Sequence, residues 1–368
     1  LGVHHKDMSQ SICQIDMKGN VRTLMHGDYM YNIKAFSENH KYCLWVRQNV
    51  STFPDLCHST ATFTNIKRVT DANPQQKEYV WGSVKIVEWK NYEGKQNRGL
   101  LYLPEGYDSK QTYPVIVQFY ETHTEEKNHY IMPLLSSAMA NITYAMSNGY
   151  IMFMPDVHFT IGTPGQSTYD AVVSGVNWLI DQGIAHKGKI GLQGHSWSGF
   201  QTTYLVTKTD IFDCAQIGAP ITDMVTGYLG IRNGSGLPRY FMYEDTQSRM
   251  GATLWNAKEQ YRAMSPIINA DKIHTPLLIF HNDNDEAVAY EQGRALYLAM
   301  RRLQRPAWMV NYKGEGHFVM KPAAQKDWTI RMMQFFDYYL KGTKEPRWMK
   351  EGIHLRDRGY DQKYDLVK

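Results

Sequence analysis

The stretch Lys189-Ile190-Gly191-Leu192-Gln193-Gly194-His195-Ser196-Trp197-Ser198-Gly199 decides the fold. Its apolar half reads as a buried strand that stops at Gly194. Small residues then surround one serine, and Phe200 to Lys208 continues with helical character. Strand, sharp turn and helix form the setting in which a Gly-x-Ser-x-Gly serine becomes a nucleophile. The turn is so tight that the neighbours of the serine must lack bulk, and the bend lifts Oγ clear of the sheet. Here Ser198 takes the last motif position, with Gly199 just behind it. Such a match alone also describes a chance turn, so its weight depends on what the chain supplies further on.

The segments on either side fit the same architecture. Pro114 to Tyr120 is a near-continuous apolar run, as a strand buried on both faces must be, and Tyr150 to Pro155 repeats it. Tyr169 to Ile180 carries Ala171, Val172, Val176, Leu179 and Ile180 at helical spacing. Cys214 to Gly218, Thr275 to Phe280 and Ala307 to Tyr312 read as further strands. Ala289 to Leu303 reads as a helix with basic residues in its last turn, where the macrodipole favours them. Ala323 to Leu340 reads as a long amphipathic helix. This alternation predicts a doubly wound, mainly parallel α/β sheet with helices on both faces.

Residues 1–75 follow a different pattern. Cys13 to Met17 and Val21 to Met25 flank the turn Lys18-Gly19-Asn20. Tyr29 to Phe36 and Lys41 to Gln48 flank a second turn, and Thr60 to Phe63 with Lys67 to Thr70 make a third pair. Antiparallel strands in series without a helix look like one or two blades of a β-propeller. Blades bury their faces against neighbours and cannot stand alone. The polar run Asp71 to Gln76 marks a boundary, after which Tyr79 to Trp89 and Arg98 to Leu103 form a hairpin. The expected division is 1–75 for the terminal blade or blades of a truncated propeller, 76–345 for the α/β domain and 346–368 for a C-terminal tail.

With 368 residues the chain exceeds one average domain and can bury a sizeable core. A net charge of +4 with no Lys/Arg block gives no footing for nucleic acid or a membrane surface. No run of about 18 apolar residues is present to form a transmembrane helix. The chain opens at Leu1 without a methionine or an apolar signal core, the expectation for a processed or truncated product. Cys13, Cys43, Cys57 and Cys214 lack Cys-x-x-Cys spacing, which argues against zinc. Cys214 reads as a small core residue; for the other three, a disulfide stays open.

A serine hydroxyl is a poor nucleophile until a base takes its proton, and a carboxylate holds that base. On a sheet of this kind the acid follows the serine and the histidine comes last. Phe280 to Val288 closes a buried strand and offers Asp283 and Asp285; Asp285 is the expected acid, the other a loop cap or solvated. Asn311 to Phe318 follows the next strand and places His317 in a Gly-rich loop at the same edge. Ligands of open α/β sheets bind at that edge. The oxyanion hole calls for the backbone N–H of Trp197 and a donor after the Pro114–Tyr120 strand, where the Tyr120 hydroxyl is placed to serve. The lesser alternative for Tyr120 is a tyrosine packed at a strand end. His4, His5, His58, His123, His129, His158, His186 and His281 show no metal-ligand spacing and read as solvated or locally hydrogen-bonded.

On these residues the chain resembles the prolyl oligopeptidase family of serine peptidases, with its dipeptidyl peptidase IV and acylaminoacyl peptidase branches. The matching features are Gly194-His195-Ser196-Trp197, His281-x-x-x-Asp285-x-x-Val288, Gly314-Glu315-Gly316-His317, Tyr120 and Gly218-Ala219-Pro220. The resemblance implies an α/β-hydrolase fold after propeller strands, and cleavage of short peptides through an acyl-enzyme. It implies Ser196 as nucleophile, His317 as base then acid, Asp285 as its orienter, and Tyr120 with Trp197 as oxyanion donors. Tyr228 falls where the family's specificity pocket lies, as a pocket wall or as core. Two positions depart from the family: Ser198 for Gly, and Asn282 for Gly after His281. Proline specificity does not follow, and exopeptidase and endopeptidase action both stay open. No metal or organic cofactor is implied. The resemblance to bacterial members points to a periplasmic or secreted protein, with a homodimer left open. An esterase on the same fold and a non-catalytic binding protein with a relic site are the competing readings.

Overall fold

Eight strands form the central sheet of the computed structural model, which describes residues 1–368. In chain order they are β1 (Ser83–Lys90), β2 (Gln96–Leu103), β3 (Val115–Gln118), β4 (Ile151–Pro155), β5 (Ile190–His195), β6 (Cys214–Gly218), β7 (Leu277–Phe280) and β8 (Ala307–Val310). In space they run β8-β7-β6-β5-β3-β4-β2-β1. The six strands from β8 to β4 are parallel, while β2 is antiparallel to both β4 and β1. Every residue of β3 to β7 is buried, so these strands cannot show the alternation of a half-exposed sheet. Two of the polar members pair with each other: Gln193 Nε2 donates to Gln118 Oε1 at 2.6 Å, and the Gln193 Oε1 accepts from Ala140 N at 3.1 Å.

Helices cover both faces. Pro164–Asp181, Trp197–Val206 and Tyr290–Arg302 contribute to a core of 30 buried residues on one side, and Ile142–Ser147 and Pro322–Phe336 to a core of 24 on the other, so neither face is left open. Pro164 and Pro322 open their helices where no intrahelical N–H is needed.

The first residues form a three-stranded antiparallel sheet (Gly2–Val3, Gln10–Ile15, Val21–Gly27) and a four-stranded one (Met30–Phe36, Tyr42–Gln48, Leu56–Thr60, Lys67–Arg68). The third pair differs from expectation, since its first strand is Leu56–Thr60. Phe63 N bonds Thr60 O at 2.9 Å and Thr64 N bonds Thr60 Oγ1 at 3.0 Å, turning the chain where the strand was expected to run. Their shared core is small: Ile12, Tyr31, Cys43, Trp45, Cys57 and Phe63. No disulfide forms, and all four cysteines are free. Cys43 stands opposite Ser59 and Cys57 opposite Trp45, so register keeps the two apart. These sheets dock on the rest of the chain through Lys127 Nζ on Asp28 at 2.6 Å, Asn128 Nδ2 on Met8 O at 3.1 Å and Arg98 Nη1 on His5 O at 2.7 Å.

Residues 346–368 pack against the helix Pro322–Phe336. Trp348 Nε1 donates to Gln334 Oε1 at 2.8 Å, and Gln334 Nε2 to Tyr364 O at 2.7 Å. No helix is long and apolar enough to cross a membrane.

Candidate active site

The elbow is built as its small residues require. Ser196 has φ 60° and ψ −117°, a sparsely populated region for a side-chain-bearing residue. Its N–H donates to Gly218 O of the neighbouring β6 at 2.8 Å, which holds the bend. The helix starts at Trp197, earlier than expected, because Ser196 itself makes the turn. A Cβ on Gly194 would lie 2.3 Å from Ser198 O, and one on Gly199 2.5 Å from Gly218 O. Ser198 fits because its Oγ both accepts from His195 N at 2.9 Å and donates to His195 O at 3.0 Å. The close approach that demands glycine falls one residue later, on Gly199. Gly194→Ala is therefore expected to destabilise the fold by about 3 kcal/mol or more, since the obstructing atom is backbone and cannot rotate away. Urea unfolding midpoints check this.

Two loops at the carboxyl edge meet beside the elbow. Asp285 follows β7 and His317 follows β8. His317 Nδ1 lies 2.7 Å from Asp285 Oδ2, and Asp285 Oδ1 accepts the Ala287 and Val288 N–H groups, each at 2.8 Å. His281 Nε2 adds a contact at 3.3 Å to Asp285 Oδ2 and one at 3.1 Å to Val288 O. Both partners are acceptors, so Nε2 carries the His281 proton. Burial pushes the Asp285 carboxyl up, but the bonds from His281 and His317, the electrostatic pull of His317 and the Val288 N–H outweigh it. The group is held well below the ordinary carboxylate range.

Asp283 stands apart and accepts Gly314 N at 2.8 Å, a loop cap. Asn282 joins the two loops: its Oδ1 accepts Tyr312 N at 3.0 Å and its Nδ2 donates to Gly316 O at 2.8 Å. Glu286 Oε2 accepts the His317 N–H at 3.2 Å. The His317 ring lies against the elbow, its centroid 4.5 Å from that of His195. His195 is buried, and burial, then the neighbouring His317, pushes its pKa well below the usual value.

Tyr120 closes the site from the end of β3. Its hydroxyl accepts from Gln247 Nε2 at 2.9 Å, and the Ser196 side chain and the Trp197 N–H lie near it. Burial raises its pKa against the opposing hydrogen bonds, so the phenol keeps its proton. A phenol and a backbone N–H beside one serine can share a developing oxyanion. Tyr120→Phe is expected to lower kcat by about a hundredfold with KM within about twofold. Steady-state kinetics on a chromogenic acyl substrate read the split.

Tyr228 is buried in an aromatic cluster with Trp197, Phe200, Tyr243 and Tyr261, and its hydroxyl meets Glu244 Oε1 at 2.5 Å. Tyr120 packs against the same cluster, so Tyr228 is joined to the site through packing. His281 is wholly buried, which removes the solvated reading for it. The sequence left Gln247, Glu286 and the His195–His317 contact unseen. Gln247 lies 127 residues from Tyr120, with no motif around it to signal the contact.

The model of the prolyl oligopeptidase family matches residues 136–343. The uncharacterized peptidase YuxL of Bacillus subtilis is 25% identical over 264 residues, covering 68% of this chain and 38% of that protein. Dipeptidyl aminopeptidase BIII of Pseudoxanthomonas mexicana is 28% identical over 182 residues, 48% of this chain and 26% of that one. The chain thus spans well under half the length of these curated relatives. The solved acylaminoacyl peptidase of Pyrococcus horikoshii superposes with a TM-score of 0.67 at 18% identity, covering 89% of this chain and 52% of that one, and so shares the fold of propeller strands and α/β hydrolase. With the family model covering more than half its residues, the chain belongs to the prolyl oligopeptidase family.

Proposed function

We propose that this chain carries the catalytic unit of a serine peptidase that cleaves oligopeptides through an acyl-enzyme. Ser196 attacks the scissile carbonyl, and His317 takes its proton and returns it to the leaving amine. Asp285 fixes the imidazole with Nδ1 protonated, and Tyr120 with the Trp197 N–H receives the oxyanion. The observation that carries this reading is the 2.7 Å bond from His317 to a carboxylate whose other oxygen is already filled by two N–H groups, at the edge where Ser196 is raised. Names of relatives such as dipeptidyl aminopeptidase support a peptide substrate over a simple ester. Residues 1–75 belong in this reading to the end of a propeller that gates the site, 76–345 to the peptidase domain and 346–368 to a C-terminal tail. Export to the periplasm or medium is part of the same proposal.

The test is labelling by a fluorophosphonate probe beside a Ser196→Ala control, followed by turnover of a peptide anilide against a matched ester. Labelling of Ser196 with preferred cleavage of the anilide supports the reading. Cleavage of the ester alone makes the protein an esterase, and an unlabelled Ser196 makes the site a relic.

A further inference from the structure

Gln247 reaches the site from a segment with no recognisable motif. Two residues on, Arg249 forks onto the Glu121 carboxylate at 2.9 and 3.3 Å and bonds the Gln247 carbonyl at 2.7 Å. One short segment thus grips two consecutive residues at the end of β3: Tyr120 through its hydroxyl, Glu121 through charge. Arg249 holds φ 49°, a strained value for a residue with a side chain. Strain of this kind persists only where the surroundings over-determine it. Here they do: the Arg249 carbonyl accepts Gly162 N at 2.7 Å, and the guanidinium lies 4.9 Å from the centre of the Phe159 ring.

A phenol has one proton to give and lone pairs to receive. With the Gln247 N–H donating into the Tyr120 oxygen at 2.9 Å, the phenol proton is directed away from Gln247. The Ser196 side chain and the Trp197 N–H lie near the same hydroxyl, and this is the side on which an oxyanion would form. We infer that Gln247 is a positioning residue that aims the Tyr120 hydroxyl proton at the oxyanion, with the Arg249–Glu121 pair setting its reach. The inference rests on the peptidase reading above. It assigns a role to a residue whose only link to the reaction runs through Tyr120.

Two substitutions separate aiming from packing. Gln247→Met keeps length and loses the donor; Gln247→Glu places an acceptor there at neutral pH, which draws the phenol proton to itself. Each is made in the full chain, with and without Tyr120→Phe, and read by peptide anilide turnover, fluorophosphonate labelling rate and thermal melting. Gln247→Met is expected to lower kcat by about tenfold with KM within about twofold, and Gln247→Glu by about a hundredfold, the cost of losing one oxyanion donor. In the Tyr120→Phe background neither should cost more than about twofold, because the proton they steer is gone. Equal losses in both backgrounds, or a Gln247→Glu variant as active as the wild type, overturn the inference while the peptidase reading stands. A wild-type chain that neither labels nor turns over overturns both. If Gln247→Glu fails to fold, Gln247→Met in the two backgrounds decides alone.

Discussion

Ser196→Ala is expected to lower kcat by on the order of a millionfold, with the melting curve unmoved. The size follows from the absence of a substitute hydroxyl. Ser198 is the nearest in sequence, but its Oγ is locked to both His195 N and His195 O and is fully buried. It can neither turn outward nor yield a proton without breaking the elbow. Alanine keeps the strained backbone of residue 196 no better and no worse than serine does, and the bond from its N–H to Gly218 O survives. Peptide anilide turnover, with the active fraction titrated to exclude wild-type carry-over, measures the loss. Turnover within a hundredth of wild type, on the order of the loss of one oxyanion donor, would place the nucleophile elsewhere.

Asp285→Asn is expected to cost about ten-thousandfold in kcat. The Ala287 and Val288 N–H groups both point at one carboxylate oxygen and will claim the amide oxygen of an asparagine. The NH2 must then face His317 Nδ1 and His281 Nε2. For His317 this selects the tautomer with Nε2 protonated, which cannot accept a proton from serine. For His281 it sets two donors against each other. Asp283→Asn keeps its single bond to Gly314 N and should change kcat by no more than about threefold, as surface changes of about 0.5 kcal/mol do. Kinetics of the two variants side by side decide the acid. A larger loss for Asp283→Asn would reverse the assignment.

The sheet was legible because β3, β4, β6 and β7 are buried on both faces and are written mainly in apolar residues. The elbow was legible because its geometry excludes side chains at particular points. The two loops were legible because each follows a strand, which fixes the edge at which it emerges. Less readable was everything that depends on contact across the chain. Nothing local to Gln247 signals a bond to Tyr120. The two departures, Ser198 and Asn282, looked like weakened motif positions, yet each makes two hydrogen bonds that a glycine could not make. The strand after Asp55 was misplaced because a Thr60–Thr64 turn competes with β pairing through a hydroxyl that propensity does not weigh.

Asn282 has a consequence for how the protein can change. Its one carboxamide spans from the acid loop to both ends of the Tyr312–Gly316 turn, so it works as a gauge block between them. The spacing of acid and base is thereby set by a rigid planar group together with the pairing of β7 and β8, without recourse to the helix Tyr290–Arg302. That helix is released from a duty it would otherwise share. Drift in the helix surface, or a lengthened turn near Gln304, would be taken up without changing the alignment of the proton path.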